Sequence, residues 1–283
     1  MANIIDGKKI SSEIKCGLKN KIEDFKKKYS REISLAVVLV GDNPASQVYV
    51  KNKIKTAEEL GIKSLSFHLP ETASYGEVEK VILELANDNN VDGILVQLPL
   101  PKGIDEEKIL SLIPAEKDVD GFCKENVGNL LLGRRSITSC TPLGVIKMLE
   151  SINYDFSGKN AVVIGRSNIV GKPLAMLLLQ KNCTVTICHS KTQNLSEICS
   201  KADLLIAAIG KPEFVKSNMV KDGATVIDVG INRTEKGLVG DVDFNDVVDK
   251  VENISKVPGG VGPMTITMLM SNTYECALYR VEK

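Results

Sequence analysis

Hydrophobic positions along the chain alternate between two periods. Ile10, Ile14, Leu18, Ile22 and Phe25 recur at helical spacing across residues 8–25, beneath an outer face rich in lysine. That pattern predicts an amphipathic helix with a solvated charged side. Residues 33–40 form an apolar run rich in β-branched side chains, which reads as a strand buried on both faces. A Gly41-Asp-Asn-Pro44 turn follows. From Ser46 the helical period returns: Val50, Ile54 and Ala57 make an apolar stripe, Lys51, Asn52 and Lys55 point to water, and Gly61 supplies a stop. Residues 63–69 alternate, with Leu65, Phe67 and Leu69 on one side. Residues 75–87 are helical through Val78, Ile82 and Leu85, and residues 91–98 give a third strand. Strands alternating with helices of this length predict an α/β fold with a parallel sheet and crossover helices.

The alternation resumes beyond a helix expected from Thr141-Pro142 to about Ile152, with threonine as cap and proline in the first turn. This helix is read as the link between two domains. Residues 160–164 form a strand; Gly165-Arg166-Ser167-Asn168-Ile169-Val170-Gly171-Lys172-Pro173 then leads into a helix through Leu179. Residues 183–188, 203–209 and 225–229 supply further strands, the last running on into Gly230-Ile231-Asn232. A strand, a glycine turn and a helix N-terminus are the parts that receive a pyrophosphate, although Ser167 stands where a second glycine is usual. The end of the second strand, where an acid ordinarily binds a ribose 2′-hydroxyl, reads His189-Ser190-Lys191 without a carboxylate, and Arg166 lies in the turn. An arginine, a hydroxyl and a lysine suit a 2′-phosphate, so NADP is expected over NAD; a plain sheet-edge turn is the alternative. Further on, Pro258-Gly259-Gly260-Val-Gly-Pro263-Met-Thr265 permits close backbone approach to a flat ligand and equally permits a structural loop. A last helix from Thr265 to about Tyr279 is expected to pack back on the first domain.

Composition removes several classes of function. A length of 283 residues, 43% of them apolar, suggests one large or two modest domains. Charge is balanced, 36 basic against 36 acidic residues, which leaves no electrostatic footprint for nucleic acid or a membrane surface. No targeting pattern opens the chain and no apolar run is long enough to span a bilayer. Seven scattered cysteines, never spaced as Cys-x-x-Cys, point to reduced thiols in a cytoplasm and against a zinc site. Two histidines exclude a three-histidine centre, so no metal is expected.

The candidate chemistry gathers in the first half. Ser46, Tyr49 and Lys53 stand at i, i+3 and i+7 and share one helix face at the border of the core. A lysine beside an aromatic ring and a hydroxyl is suited to carrying protons; taken alone, a snorkelling lysine on an amphipathic helix is the plainer reading. Gln97, in Val96-Gln97-Leu98-Pro99-Leu100-Pro101, ends the third strand at the same sheet edge from which the Lys53 helix starts, so the two side chains are expected to converge. Asp118 and Asp120, in a proline-bounded loop, are open to three uses: a metal, a helix cap, or the amine groups of a substrate.

Taken together, these stretches closely resemble the bifunctional methylenetetrahydrofolate dehydrogenase/methenyltetrahydrofolate cyclohydrolase (FolD-type) family over essentially the full length. The carriers are Ser46-x-x-Tyr49-x-x-x-Lys53, the Val96–Pro101 segment, Lys117-Asp118-Val119-Asp120-Gly121, Gly165-Arg166-Ser167 with Val170-Gly171-x-Pro173, and the Pro258–Thr265 loop. The resemblance implies an N-terminal α/β catalytic domain over 1–140, a Rossmann-like NADP-binding domain over 141–270, a cleft between them, and helix 271–283 returning to the first. It implies Lys53 as the catalytic proton shuttle, helped by Gln97. Asp120 would anchor the pterin, Tyr49 would stack on the folate, and Ser46, Pro258, Gly259 and Gly260 would line the substrate. Gly165, Arg166, Ser167, Ser190 and Ile231 would line the NADP site. It further implies a homodimer acting on a small folate. Two loops depart from the family pattern: Cys123-Lys124 follows Phe122 where a histidine-proline pair is common, and Ser139-Cys140 stands where Pro-Cys is common. A monofunctional dehydrogenase of the same family, another two-domain NADP dehydrogenase and a non-catalytic NADP sensor remain open readings at this point.

Overall fold

Every residue of the Ser34–Val40 strand is buried, because it runs between two parallel neighbours, Lys63–Leu69 and Gly93–Val96. The register sets Val38 opposite Phe67 on one side and opposite Val96 on the other. Burial on both faces accounts for the unbroken apolar run, since each Leu or Val taken out of water contributes roughly 1.5–3 kcal/mol. The computed structural model describes residues 2–235 and 237–282. The three-stranded sheet belongs to one of two units, built from Ile14–Thr138 and the chain from Leu269 onward.

Two crossover helices link these strands. Pro44–Glu59 starts sharply: the Asn43 side chain accepts from the N–H groups of Ala45 and Ser46, and proline fills the first position. It ends at Leu60, and Gly61 turns the chain with φ +82. Tyr75–Asn87 opens with a reciprocal Ser74/Glu77 capping box. At its far end Lys117 Nζ donates to the carbonyls of Leu85, Ala86 and Asp88, tying the 114–121 loop to the helix. Burial lowers the pKa of this lysine, and the nearby Arg280 charge acts in the same direction. The Val261–Glu282 helix also serves this unit. Asn272 Nδ2 donates to Val119 O and Thr138 O, and Arg280 reaches the buried Asp92, which also accepts from Arg31 and from Ser34 N–H.

The other unit comprises the chain up to Glu13 and Ser139–Met268. Its main sheet has six strands, all parallel, in the order Asn3–Ile5, Asn253–Ser255, Thr225–Asp228, Leu204–Ala207, Asn160–Ile164, Thr184–Cys188, and Asn232–Thr234 and Gly237–Val239 form a separate antiparallel pair. From Asn160–Ile164 the chain moves to one side and then returns to the other. The strand order therefore reverses between Asn160–Ile164 and Leu204–Ala207. In doubly wound sheets, ligands bind beyond the carboxyl ends of the strands at such a reversal.

Two local features differ from the sequence pattern. Residues 3–5, expected within the first domain, pair with Asn253–Ser255 in the six-stranded sheet; three edge residues, two of them exposed, offer no period to read. The helix expected at Thr141-Pro142 runs over Cys140–Ser151, preceded by Ser139, and Thr141 Oγ1 is engaged with Thr265 Oγ1 at 2.9 Å instead of capping. All seven cysteines are free thiols, and only Cys16 is exposed. Among the described residues, no helix is long and apolar enough to cross a membrane, and no cluster of three or more His, Cys, Asp or Glu is arranged to hold a metal ion.

Candidate active site

In the three-stranded unit the site grows from the carboxyl edge of the sheet. Helix Pro44–Glu59 leaves the central strand there and turns Ser46 inward, buried at 5% exposure, while Tyr49 stands out at 44% and Lys53 lies half-buried between core and solvent. Strand Gly93–Val96 places Gln97 at the same edge, because the Gln97 backbone N–H extends the ladder to Val38 O. The two side chains meet: Lys53 Nζ donates to Gln97 Oε1 at 3.0 Å. Gln97 Nε2 donates in turn to Leu98 O at 2.6 Å. An amide has one accepting and one donating end, so this second bond turns the oxygen toward the lysine. The Leu98–Pro99 peptide that follows is cis.

The Asp118/Asp120 loop separates its two carboxylates by function. Asp118 is buried and accepts from Gly121 N–H, Cys123 N–H and Asn126 Nδ2 at 3.0, 2.8 and 3.2 Å, so it holds the loop. Asn126 braces the same turn through Ala115 O and Ile137 N–H; a lone asparagine in a polar stretch gave no signal of this. The loop adds to the sheet edge through a bridge between Ile94 and Asp118. Asp120, half-buried, is carried at its tip before Gly121, whose φ is +67. Cys123, one of the departures from the family pattern, caps the Lys124–Leu131 helix by accepting from Asn126 N–H. Burial beside the Asp118 charge pushes its thiol up to about 12, so it stays protonated.

In the six-stranded unit, Gly165 follows strand Asn160–Ile164 at the order reversal with φ +131. A Cβ there would strike Ala208 O, and one on Gly171 would strike Gly165 O, so both positions need glycine for chain-on-chain packing. Ser167 replaces the usual second glycine, and its Oγ accepts from the N–H groups of Val170 and Gly171 at 3.1 and 3.2 Å, at the head of the Gly171–Gln180 helix. Arg166 is exposed and, among the described residues, forms no ion pair. Ser190 and Lys191 are exposed at the end of strand Thr184–Cys188, in a turn closed by Lys191 N–H donating to His189 Nδ1. An exposed guanidinium, a hydroxyl and an ammonium with no carboxylate among them fit a phosphorylated nucleotide. Ile231 lies beyond strand Thr225–Asp228 with its side chain 45% exposed. Pro258 follows a cis peptide; Gly259 accepts from Lys8 N–H, and Gly7 and Gly260 pack backbone to backbone. Glycine at 260 therefore answers first to packing within the chain.

Comparison with known proteins covers both units. Residues 5–120 match the model for the tetrahydrofolate dehydrogenase/cyclohydrolase catalytic domain, and residues 139–281 match the NAD(P)-binding domain of the same family. The bifunctional protein FolD of Agathobacter rectalis is 55% identical over 97% of this chain and 99% of its own. The crystal structure of the FolD dehydrogenase/cyclohydrolase of Campylobacter jejuni superposes with a TM-score of 0.97 at 52% identity, covering 99% of this chain and 100% of that one. The Trypanosoma brucei enzyme, described as complexed with NADP cofactor and inhibitor, gives 0.94 at 35% identity over 100% and 99% of the two chains. The chain belongs to the tetrahydrofolate dehydrogenase/cyclohydrolase family.

Proposed function

We infer that this protein is a bifunctional one-carbon folate enzyme. It oxidises 5,10-methylenetetrahydrofolate to the 5,10-methenyl compound with NADP, and then hydrolyses that product to 10-formyltetrahydrofolate. The observation that carries the reading is the Lys53–Gln97 pair, 3.0 Å apart at the sheet edge. A bound NADP, which Gly165, Arg166, Ser167, Ser190 and Ile231 would hold, would supply the hydride acceptor for the one-carbon bridge. That step leaves a cation shared by two nitrogens and asks only for alignment, with no base from the protein.

Hydrolysis makes different demands. Water adds to the cationic carbon, and two protons must then leave its oxygen. One ends on the ring nitrogen whose bond to carbon breaks, the other in solvent. A single amine that alternates between free and protonated forms can make these transfers, and Lys53 is assigned that task. Gln97 holds its Nζ through an amide oxygen that Leu98 O has already oriented. Asp120 is assigned to the amino and ring N–H groups of the pterin, and Ser46 is assigned to the substrate too. Tyr49, with its ring exposed, supplies a flat face. Pro258, Gly259 and Gly260 are assigned to the substrate as well. Gly165, Arg166, Ser167, Ser190 and Ile231 are assigned to NADP. Incubating the purified protein with methylenetetrahydrofolate and NADP, and following NADPH and the methenyl product separately, tests the whole reading. Formation of NADPH together with decay of the methenyl intermediate is expected; NADPH with a persistent methenyl product would leave a dehydrogenase alone.

The protein is further proposed to act as a cytoplasmic homodimer, divided functionally into 1–140 and 141–270. Seven free thiols support a reducing compartment, which cell fractionation checks. Light scattering is expected to give twice the 30.7 kDa chain mass, and a monomeric mass would refute the dimer.

A further inference from the structure

Two buried carboxylates in the six-stranded unit take no part in the chemistry assigned so far. Asp241 is fully buried and Asp228 nearly so, and neither forms an ion pair among the described residues. Asp241 instead accepts from four N–H groups. Three are the consecutive backbone donors of Ile209, Gly210 and Lys211, at 2.7, 3.0 and 2.9 Å, and the fourth is Asn232 Nδ2 at 2.9 Å. Successive amides converging in this way form a nest for an anion; here the protein fills the nest with its own side chain. Asp228 accepts from Gly230, Asp241 and Val242 N–H at 3.0, 2.9 and 2.9 Å. The packing is reciprocal. A Cβ on Gly230 would collide with the Asp241 carboxylate, and one on Gly240 with that of Asp228.

The segments so held are the turns beyond strands Leu204–Ala207 and Thr225–Asp228. A third turn is linked to them, since Gly165 packs directly against Ala208 O, one residue before the nest. These three turns line the carboxyl edge of the sheet at and beside its order reversal, where a nucleotide lies. We propose that Asp228 and Asp241 are positioning residues that lock the 209–211 turn and the Gly230–Asn232 turn into the shape required to receive the nicotinamide cofactor. Burial of Asp228 pushes its carboxyl up to about 6 against the N–H donors of Val242 and Asp241. Asp228 thus carries a desolvation cost, which its hydrogen bonds to the turns offset.

This proposal rests on the NADP reading of this unit, so the test begins with NADPH binding to the unaltered protein, followed by fluorescence. No binding there overturns the NADP reading and the proposal with it. Asp241→Asn turns a donor toward the nest. It is expected to raise the KM for NADP about tenfold, while hydrolysis of methenyltetrahydrofolate, which uses no nucleotide, stays within about twofold. Asn232→Ala, which removes one donor and leaves the carboxylate, is expected to shift the same KM about threefold and carries the test if Asp241→Asn does not fold. Asp246→Asn removes a carboxylate of the same unit that holds Ser217, and is expected to leave that KM unchanged. Binding by the unaltered protein with an unmoved KM in the folded variants overturns the proposal alone, as does equal loss of both activities.

Discussion

Lys53→Met is expected to abolish cyclohydrolase activity while part of the NADPH formation survives. Methionine keeps most of the length of the side chain and its apolar stem, so the packing of the half-buried helix face is largely retained. It cannot accept or give a proton. Positioned general acid–base groups supply roughly a hundred- to ten-thousandfold in rate, and hydrolysis calls on this group at both the addition and the bond-breaking stage. A fall of at least about a thousandfold is therefore expected. The oxidation needs no base, and its residual loss would reflect poorer placement of the substrate beside an uncharged, unbonded side chain. The same cuvette reads both: NADPH formation at one wavelength and methenyl decay at another, with the methenyl compound also supplied directly. Hydrolysis at the normal rate in the variant would end the assignment of Lys53. Gln97 makes the expectation sharper, because its oxygen loses the Lys53 donor in the variant while its Nε2 bond to Leu98 O persists.

Much of this arrangement was legible in the sequence because it rests on local rules. The run from 34 to 40 is apolar throughout because both faces of the strand are buried. Gly61 stops the next helix by chemistry that depends only on neighbours, while Asn43-Pro44, read from the sequence as a turn, proves to be the helix start itself. Ser46, Tyr49 and Lys53 then fall on one face by spacing alone, and the structure adds the contact between Lys53 and Gln97, 44 residues apart in the chain. The illegible parts depend on partners far away in the chain. Residues 3–5 find their strand partner 250 residues later. Thr141 looks like a cap until Thr265 engages its hydroxyl. The Asp241 side chain could not be foreseen as the filling of a nest 30 residues upstream, although Asp228-Val-Gly230 and Gly240-Asp241 set an acid close to a glycine in both segments. The Pro258–Thr265 loop shows the converse, since glycines that suggested room for a ligand include one pressed against Gly7.

The second large effect concerns the choice of nucleotide. Arg166→Ala is expected to weaken NADP about a hundredfold and NAD less than about threefold. The two cofactors differ only at the ribose 2′ position, which carries a phosphate in one and a hydroxyl in the other. Charge-assisted hydrogen bonds contribute about 1.5–3 kcal/mol, and each 1.4 kcal/mol is a factor of about ten, so losing a bidentate guanidinium contact falls in this range. Arg166 is exposed and forms no ion pair among the described residues, so its removal leaves no buried charge uncompensated, and a fall in affinity is not confounded by unfolding. Gly165 and Gly171 keep the turn in place through backbone packing that the substitution leaves alone. Ser190 and Lys191 remain in the variant, which is why some preference for NADP should persist. Steady-state KM values for both cofactors, measured at two salt concentrations, read the difference. The preference should narrow at high salt in the unaltered protein, because exposed charges are screened, and should respond less in the variant. Equal weakening of NADP and NAD would mean that Arg166 supports the turn and does not read the phosphate.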